Sequence, residues 1–125
     1  MEVTLDLYVE DGQLNGRSTV KVTGEIDMSN AGELGDFLAG LVDTEQRDLT
    51  IDLSGIQFID SSGLGVLVDI HKQLSQRNRS LTLVSPSQRV TRTLEVSGLD
   101  QVLPIDNGSE GEPVPVNAGR RTNLG

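Results

Sequence analysis

Residues 51–65 constrain the fold more than any other part of the chain, because a strand-like apolar run there meets an acid and two hydroxyls before a helix begins. The first turn of a helix leaves backbone N–H groups without partners and carries the positive end of the helix dipole. Anions are favoured at such a position. Asp60 is expected to cap the helix, and Ser61 or Ser62 can cap it too, carry a phosphate or act as a nucleophile.

The N-terminal part of the chain has the pattern of paired strands. Apolar and polar residues alternate over residues 2–10, and the pairs Asp11-Gly12 and Asn15-Gly16 are typical of tight turns before a second β-rich run at residues 18–26. The pattern therefore predicts an N-terminal antiparallel hairpin.

The rest of the chain alternates helical and strand patterns. Helical spacing predicts helices at residues 31–42, capped by Ser29 or Asn30, and from Ser61 to about residue 77. Apolar runs predict strands at residues 49–53, 80–84 and, more briefly, 102–105. Ser85 is predicted to cap a third helix that ends at Gly98.

This order predicts an α/β fold. The later strands should be parallel and joined by right-handed crossovers, giving a mixed sheet of four to five strands with helices packed against it. Beyond Asp106 the composition changes to Gly, Pro, Asn and charged residues. We therefore predict one domain at residues 1–105 and a disordered tail at residues 106–125.

Charge and composition disfavour several classes of function. The net charge of −9 opposes binding to nucleic-acid phosphates or anionic lipids, and the absence of cysteine removes thiol chemistry. Neither a signal peptide nor a long apolar stretch is recognisable, so the expected location is the cytoplasm.

Enzymatic functions find little support in the residues. The glycines of a nucleophile elbow are missing around Ser61, and His71 would lie about 15 Å further along the same helix, too far to act as its base. The Gly63-Leu64-Gly65 turn lacks both the third glycine of a dinucleotide site and a ribose-binding acid, and no P-loop is present. The carboxylates lack metal-site spacing, so we expect no catalysis, cofactor or metal.

Three segments together resemble one family. Gly24-Glu25-Ile26-Asp27, residues 59–65 (Ile-Asp-Ser-Ser-Gly-Leu-Gly) and Val96-Ser97-Gly98-Leu99 resemble the STAS domain of bacterial anti-sigma factor antagonists over residues 1–105. The order of predicted elements is similar as well. The resemblance implies that the protein is a small switch controlled by phosphorylation and not an enzyme.

In that family the unphosphorylated antagonist binds an anti-sigma factor, usually a serine kinase, and so frees a sigma factor. The resemblance implies that the kinase phosphorylates Ser61, with Ser62 as the competing acceptor, and that a serine phosphatase resets the switch. Asp27, near a strand end, is expected either to approach the Ser61 loop or contact the kinase, or simply to favour the following helix.

The partner surface is expected to include Asp27, Asp60, Ser62 and an apolar, close-approach part formed by Gly63, Leu64 and Gly65. Tight packing of the helix start is the alternative role of the two glycines. The alternative function is that of a non-switching STAS subunit of a lipid-transport or stress-signalling assembly.

Overall fold

The described part of the protein, residues 6–10 and 17–106 of a computed structural model, contains one five-stranded sheet in the order β1-β2-β3-β4-β5. The strands are β1 (Asp6–Glu10), β2 (Arg17–Ile26), β3 (Asp48–Ile59), β4 (Leu81–Val84) and β5 (Ile105–Asp106). β1 lies antiparallel to β2, and the other neighbouring pairs are parallel. The predicted turn at residues 11–16 lies outside the described residues, and so does the tail predicted at residues 106–125 except for Asp106, which belongs to β5 and not to a tail.

Three helices connect the parallel strands. They are α1 (Ala31–Thr44), α2 (Ser61–Ser75) and α3 (Gln88–Ser97), and a short 3-10 turn at Leu99–Gln101 follows α3. Right-handed crossovers between strands that follow chain order place successive helices side by side on one face of the sheet. The packing of Val66 of α2 against Gly35 of α1 agrees with that arrangement.

The core lies between the sheet and the helices. It is formed by aliphatic side chains that alternate along the strands and recur at helical spacing, among them Val20, Val22, Ile26, Leu34, Leu38, Ile51, Leu53, Leu67, Ile70, Leu74, Leu83, Val90 and Leu94. Each of these is at most 1 % exposed. This packing fixes the carboxyl ends of β2 and β3, which are followed by α1 and α2.

β3 is longer than the strand predicted at residues 49–53. It continues through Gly55 to Ile59, and its register with β2 shifts between Lys21 and Thr23. A side chain at Gly55 would begin 2.8 Å from the Thr23 hydroxyl, so the glycine permits the close approach of the two strands there. The turn-like Ser54-Gly55 pair is thus part of an irregular strand.

The start of α3 also differs from the prediction. Ser87, not Ser85, is the N-cap, and its hydroxyl accepts a hydrogen bond from the Val90 N–H at 3.2 Å. Ser85 instead has a positive φ of 55° and donates its N–H to the Asp106 carbonyl at 3.2 Å. The last strand is β5 at Ile105–Asp106, later than the predicted 102–105, because residues 99–101 form the 3-10 turn.

The end of α3 agrees with the prediction. Gly98 has a φ of 78° and follows the last helical residue, which is the left-handed conformation that glycine adopts without a side-chain clash. Leu99 packs against the core immediately afterwards.

Candidate functional site

Asp60 caps α2, as predicted. One oxygen of its carboxylate accepts the Ser62 N–H at 2.9 Å and the Gly63 N–H at 3.2 Å, and the Asp60 carbonyl accepts the Leu64 N–H at 3.0 Å. The Ser62 hydroxyl also donates to the carboxylate, at 2.5 Å. Three donors thus converge on this single capping side chain.

These hydrogen bonds favour the ionised form of Asp60. The hydrogen bond from the Ser62 hydroxyl is the main reason that the pKa of Asp60 lies below its ordinary value. Partial burial raises this pKa, but the backbone N–H groups of Gly63, Ser62 and Met28 lower it further. The start of α2 therefore carries a fixed negative charge.

The two neighbouring serines are in different situations. The Ser62 side chain is partly buried, and its proton is committed to Asp60. Ser61 is exposed at the first position of α2, and its hydroxyl has no hydrogen-bond partner within the described residues. Of the two hydroxyls, only that of Ser61 is both accessible and uncommitted.

The loop after β2 lies beside this helix start. The Asp60 N–H donates to the Ile26 carbonyl at 3.1 Å, which joins the carboxyl ends of β2 and β3. Asp27 accepts both the N–H and the hydroxyl of Ser29, at 2.9 and 2.6 Å, so its carboxylate orders its own loop. Asn30 is the N-cap residue of α1 but makes no side-chain cap bond.

The Asn30 side chain instead forms hydrogen bonds within the loop that precedes α1. Its side chain accepts the Asp27 N–H at 3.0 Å and donates to the Glu25 carbonyl at 2.8 Å. Because Asn30 is only 5 % exposed, these bonds fix the loop against the end of β2. The loop that adjoins the Ser61 site is therefore built to hold its shape.

The close-approach surface predicted from Gly63, Leu64 and Gly65 needs a correction. Gly63 is buried, and a side chain there would begin 2.6 Å from Ile59 and 2.7 Å from Ile26. Leu64 is 7 % exposed and belongs to the core. The packing role thus applies to Gly63 and largely to Leu64, because their positions on α2 face the sheet.

Gly65 differs from Gly63. It is exposed, and a side chain built there would meet nothing within 4 Å. Because α2 turns by 3.6 residues, Ser61 and Gly65 lie one above the other on the outer face of the helix. These two positions are the accessible part of the predicted motif.

A shallow groove of about 490 Å³ extends from these two positions between α2 and the end of α3. It is lined by Ser61, Leu64, Gly65, Val68, Asp69, Lys72, Ser97 and Leu99. The Val96-Ser97-Gly98-Leu99 segment, singled out in the sequence, therefore reaches the same surface as Ser61. Val68 both lines this groove and packs, partly buried, against the core, in agreement with its place on the apolar stripe of α2.

Met28 is a site residue that the sequence analysis missed. Its side chain is 84 % exposed, and its backbone N–H lies close enough to Asp60 to lower the pKa of that carboxyl. Its exposed side chain therefore adds an apolar group to the surface near the Asp60 cap. Its position in a loop gave no periodic signal in the sequence.

Other kinds of site find no support in the part of the chain that the structure describes. No group of three or more His, Asp or Glu side chains is placed to hold a metal ion there. No helix within residues 6–10 and 17–106 is both long and apolar enough to cross a membrane. His71 is a partly buried helix residue, and its Nδ1 atom has no hydrogen-bond partner in that part of the chain.

Comparisons with known proteins place this site in context. The family model of the STAS domain matches residues 8–111. The anti-sigma-B factor antagonist of Staphylococcus aureus is 33 % identical over 108 residues, covering 86 % of this chain and all of the relative, and that of Staphylococcus epidermidis is 31 % identical over 93 residues, covering 74 % and 86 %.

A solved structure agrees with these relatives. The crystal structure of an anti-sigma factor antagonist from Mycobacterium paratuberculosis superposes with a TM-score of 0.76 at 30 % identity, covering 86 % of this chain and 89 % of that one. Sequence motifs, fold and relatives all point to the same family. The chain belongs to the STAS domain family.

Proposed function

We propose that this protein is an anti-sigma factor antagonist that binds an anti-sigma factor when unphosphorylated and is released when Ser61 is phosphorylated. The observation that carries the proposal is the contrast between the two serines: Ser61 is exposed with a hydroxyl uncommitted within the described residues, whereas Ser62 donates its proton to Asp60. The names of the relatives support the antagonist role, since two of them are anti-sigma-B factor antagonists.

The helix start supports a phosphate that points outward. Phosphates are normally welcome at a helix N-terminus because its N–H groups are free. Here the Asp60 carboxylate already holds the N–H groups of Ser62 and Gly63. A phosphate on Ser61 would have to displace that carboxylate, so it stays on the surface that a partner contacts.

The charge of the phosphate explains release without unfolding. A phosphoserine adds about −1.5 to −2 charges, next to an Asp60 that is already ionised. A like-charge contact near 4 Å is worth about 4 kcal/mol at an effective dielectric constant of 20. At about 1.4 kcal/mol per decade, this weakens binding by two to three orders of magnitude.

The apolar contacts of the unphosphorylated protein come from the surroundings of Ser61. Gly65 lets a partner backbone approach α2, Val68 offers apolar atoms in the groove, and Met28 offers an exposed apolar side chain near the Asp60 cap. In this proposal the kinase is the anti-sigma factor itself, and a serine phosphatase restores the binding form.

The proposal is tested with substitutions at the two serines. Ser61→Ala should bind the anti-sigma factor from the same organism permanently, and Ser61→Asp should bind it more weakly. Ser62→Ala is the matched control, because it should still accept phosphate at Ser61 after incubation with that anti-sigma factor and ATP. Mass spectrometry locates the modified residue.

Two results would count against the proposal. Phosphate found on Ser62 in the wild-type protein would contradict the choice of acceptor. Binding that is equal in the Ala and Asp variants, with no modification by the kinase, would favour the non-switching STAS subunit instead.

A further inference from the structure

The groove beside Ser61 continues onto the outer face of α3. It follows one side of α2 from Ser61 to Lys72, about 17 Å along the helix axis, and Ser97 and Leu99 form its opposite wall. Ser97 also lines a second shallow depression of about 370 Å³, together with Arg89, Arg92, Thr93 and Val96. Because the two depressions share Ser97, they form one continuous surface. We call it the α2–α3 surface.

The α2–α3 surface exposes apolar atoms. Val96 is 80 % exposed although its side chain is aliphatic, and it lies on the side of α3 opposite the buried Val90 and Leu94. Val68 and Leu99 line the adjoining groove. Adjoining apolar groups that are rimmed by polar residues are typical of a surface that another protein covers.

The rim of this surface carries positive charges without partners. In the part of the chain that the structure describes, the Lys and Arg side chains that make neither a hydrogen bond nor an ion pair are Lys21, Lys72, Arg89 and Arg92. All of these except Lys21 line the α2–α3 surface. Asp69, the acid among the lining residues, accepts a hydrogen bond from the Gln73 side chain at 3.0 Å. In a chain of net charge −9, the uncompensated cations are therefore concentrated here.

We propose that the α2–α3 surface receives a segment of the anti-sigma factor in which acidic residues lie beside apolar ones. Its acids pair with Arg89, Arg92 and Lys72, and its apolar side chains cover Val96 and enter the groove. This inference rests on the proposed function, because it extends the partner contact from Ser61 onto α3. Charges of opposite sign steer and orient the partner, while the apolar contacts bury surface.

The rim at Lys72 acts separately from the switch at Ser61. Lys72 lies about 17 Å from Ser61 along the helix axis, which exceeds the Debye length of about 8 Å at physiological salt. A phosphate on Ser61 therefore repels the part of the partner at its own end of the groove. The cations at Lys72 and on α3 instead set how tightly the unmodified protein binds and in which orientation.

The first test reverses charges on α3, where both arginines are exposed. R92E should raise the Kd of the unmodified protein for the anti-sigma factor from the same organism a few-fold, and R89E combined with R92E should raise it at least about tenfold at low salt. The difference from the wild-type protein should largely disappear in about 1 M salt, where the Debye length is about 3 Å.

K21E is the matched control for R92E. Lys21 is exposed and also has no partner within the described residues, so its reversal changes the net charge by the same amount. Its neighbours Val20 and Val22 are buried beneath the helices, so Lys21 lies on the opposite face of the sheet. K21E should leave the Kd within about twofold of the wild-type value, as expected for a charge outside the interface.

Cross-linking identifies the chemistry of the segment that docks. The sequence has no cysteine, so Val96→Cys provides a unique site for a benzophenone maleimide, and Lys21→Cys is its control. Illumination of the complex should link position 96 to an anti-sigma factor peptide that contains Asp or Glu next to apolar residues, with no link from position 21. Changing the acids of that peptide to Lys should restore binding to the R89E/R92E variant.

Four outcomes overturn the inference. A Kd that is unchanged in the R89E/R92E variant, while Ser61 is still phosphorylated and the phosphorylated form is released, overturns this inference and leaves the proposed function standing. A wild-type protein that does not bind the anti-sigma factor overturns both. A cross-link from position 96 to a second copy of this chain, or to a basic peptide, shows that the surface has a different occupant.

Discussion

Substituting the two glycines at the start of α2 separates a packing role from a binding role. Gly63→Ala forces a methyl group to within 2.6 Å of Ile59 and 2.7 Å of Ile26, which are at most 2 % exposed. Both are β-branched residues in strands, with restricted side-chain rotation, so the core must shift. Overpacking of this kind typically costs about 1–3 kcal/mol.

The matched control is Gly65→Ala, two residues further along the helix. A methyl group there meets no atom within 4 Å, so only the gain in helix propensity remains, worth up to about 1 kcal/mol. Since both substitutions gain helix propensity, the difference between them estimates the packing cost. Gly65→Ala should thus be more stable than Gly63→Ala by about 1–3 kcal/mol.

The assay is urea unfolding followed by circular dichroism, because the chain has no tryptophan. The same Gly65→Ala protein should bind the anti-sigma factor more weakly, since the added methyl group lies beside Ser61 on the outer face. If Gly63→Ala is as stable as Gly65→Ala, the packing of α2 on Ile26 and Ile59 has been described incorrectly.

The remaining predictions concern the Asp60 cap and the hydrogen bonds that Arg79 donates to the end of α1 and the loop before β3. Asp60→Ala should destabilise the protein by about 0.5–2 kcal/mol at pH 7. Because the pKa of Asp60 is lowered in the folded protein, its charge stabilises the fold above the unfolded pKa of about 3.9, and this contribution is lost as the pH falls through the folded pKa. The free energies of unfolding of the Asp60→Asn and wild-type proteins, measured in urea, should converge at low pH. A difference that stays constant with pH would contradict the role of the charge. Arg79→Ala removes the side chain that donates to the Val42, Glu45 and Arg47 carbonyls, and it should lower the free energy of unfolding by about 1–3 kcal/mol. Arg77→Ala removes only the exposed ion pair with Asp43 and should lower it by at most about 1 kcal/mol. Equal thermal stability of these two arginine variants would contradict the stabilising role of the Arg79 hydrogen bonds.

The regular elements and the cap could be predicted because their signals are local. Apolar spacing placed the three helices within a few residues of their observed positions, and Asp60 was identified as a cap from its position before two serines. The αL conformation of Gly98 likewise follows from a glycine at the end of a helical pattern. Each of these depends on neighbours in the sequence alone.

The errors arose where a distant segment decides the local structure. Ser85 lies too far before α3 to cap it, since the chain continues from β4 through Ser85, whose N–H pairs with the carbonyl of Asp106, 21 positions later in the sequence, and the helix begins only at Gln88. β3 continues through Gly55 because Thr23 of β2 lies against it. No local pattern in residues 49–59 reveals that neighbour.

The orientation of Gly63 and Leu64 follows from the helical spacing of the sequence. Leu67 and Leu74 already define the core side of α2, and helical spacing puts Gly63 on that same side. Three consecutive helical residues cannot share one surface, because each is rotated by about 100° from the last. The exposure of Met28, in contrast, depends on how its loop is braced by Asn30 and carries no sequence signal.

The central claim is that phosphate on Ser61 repels a partner while the fold stays intact. It is tested most directly by measuring the Kd of the anti-sigma factor for the unmodified protein and for protein carrying phosphoserine only at position 61, with amide spectra of both. The account predicts a Kd that rises by about two to three orders of magnitude, with spectral changes confined to the start of α2 and its groove. An unchanged Kd, or changes spread through the core, would contradict it.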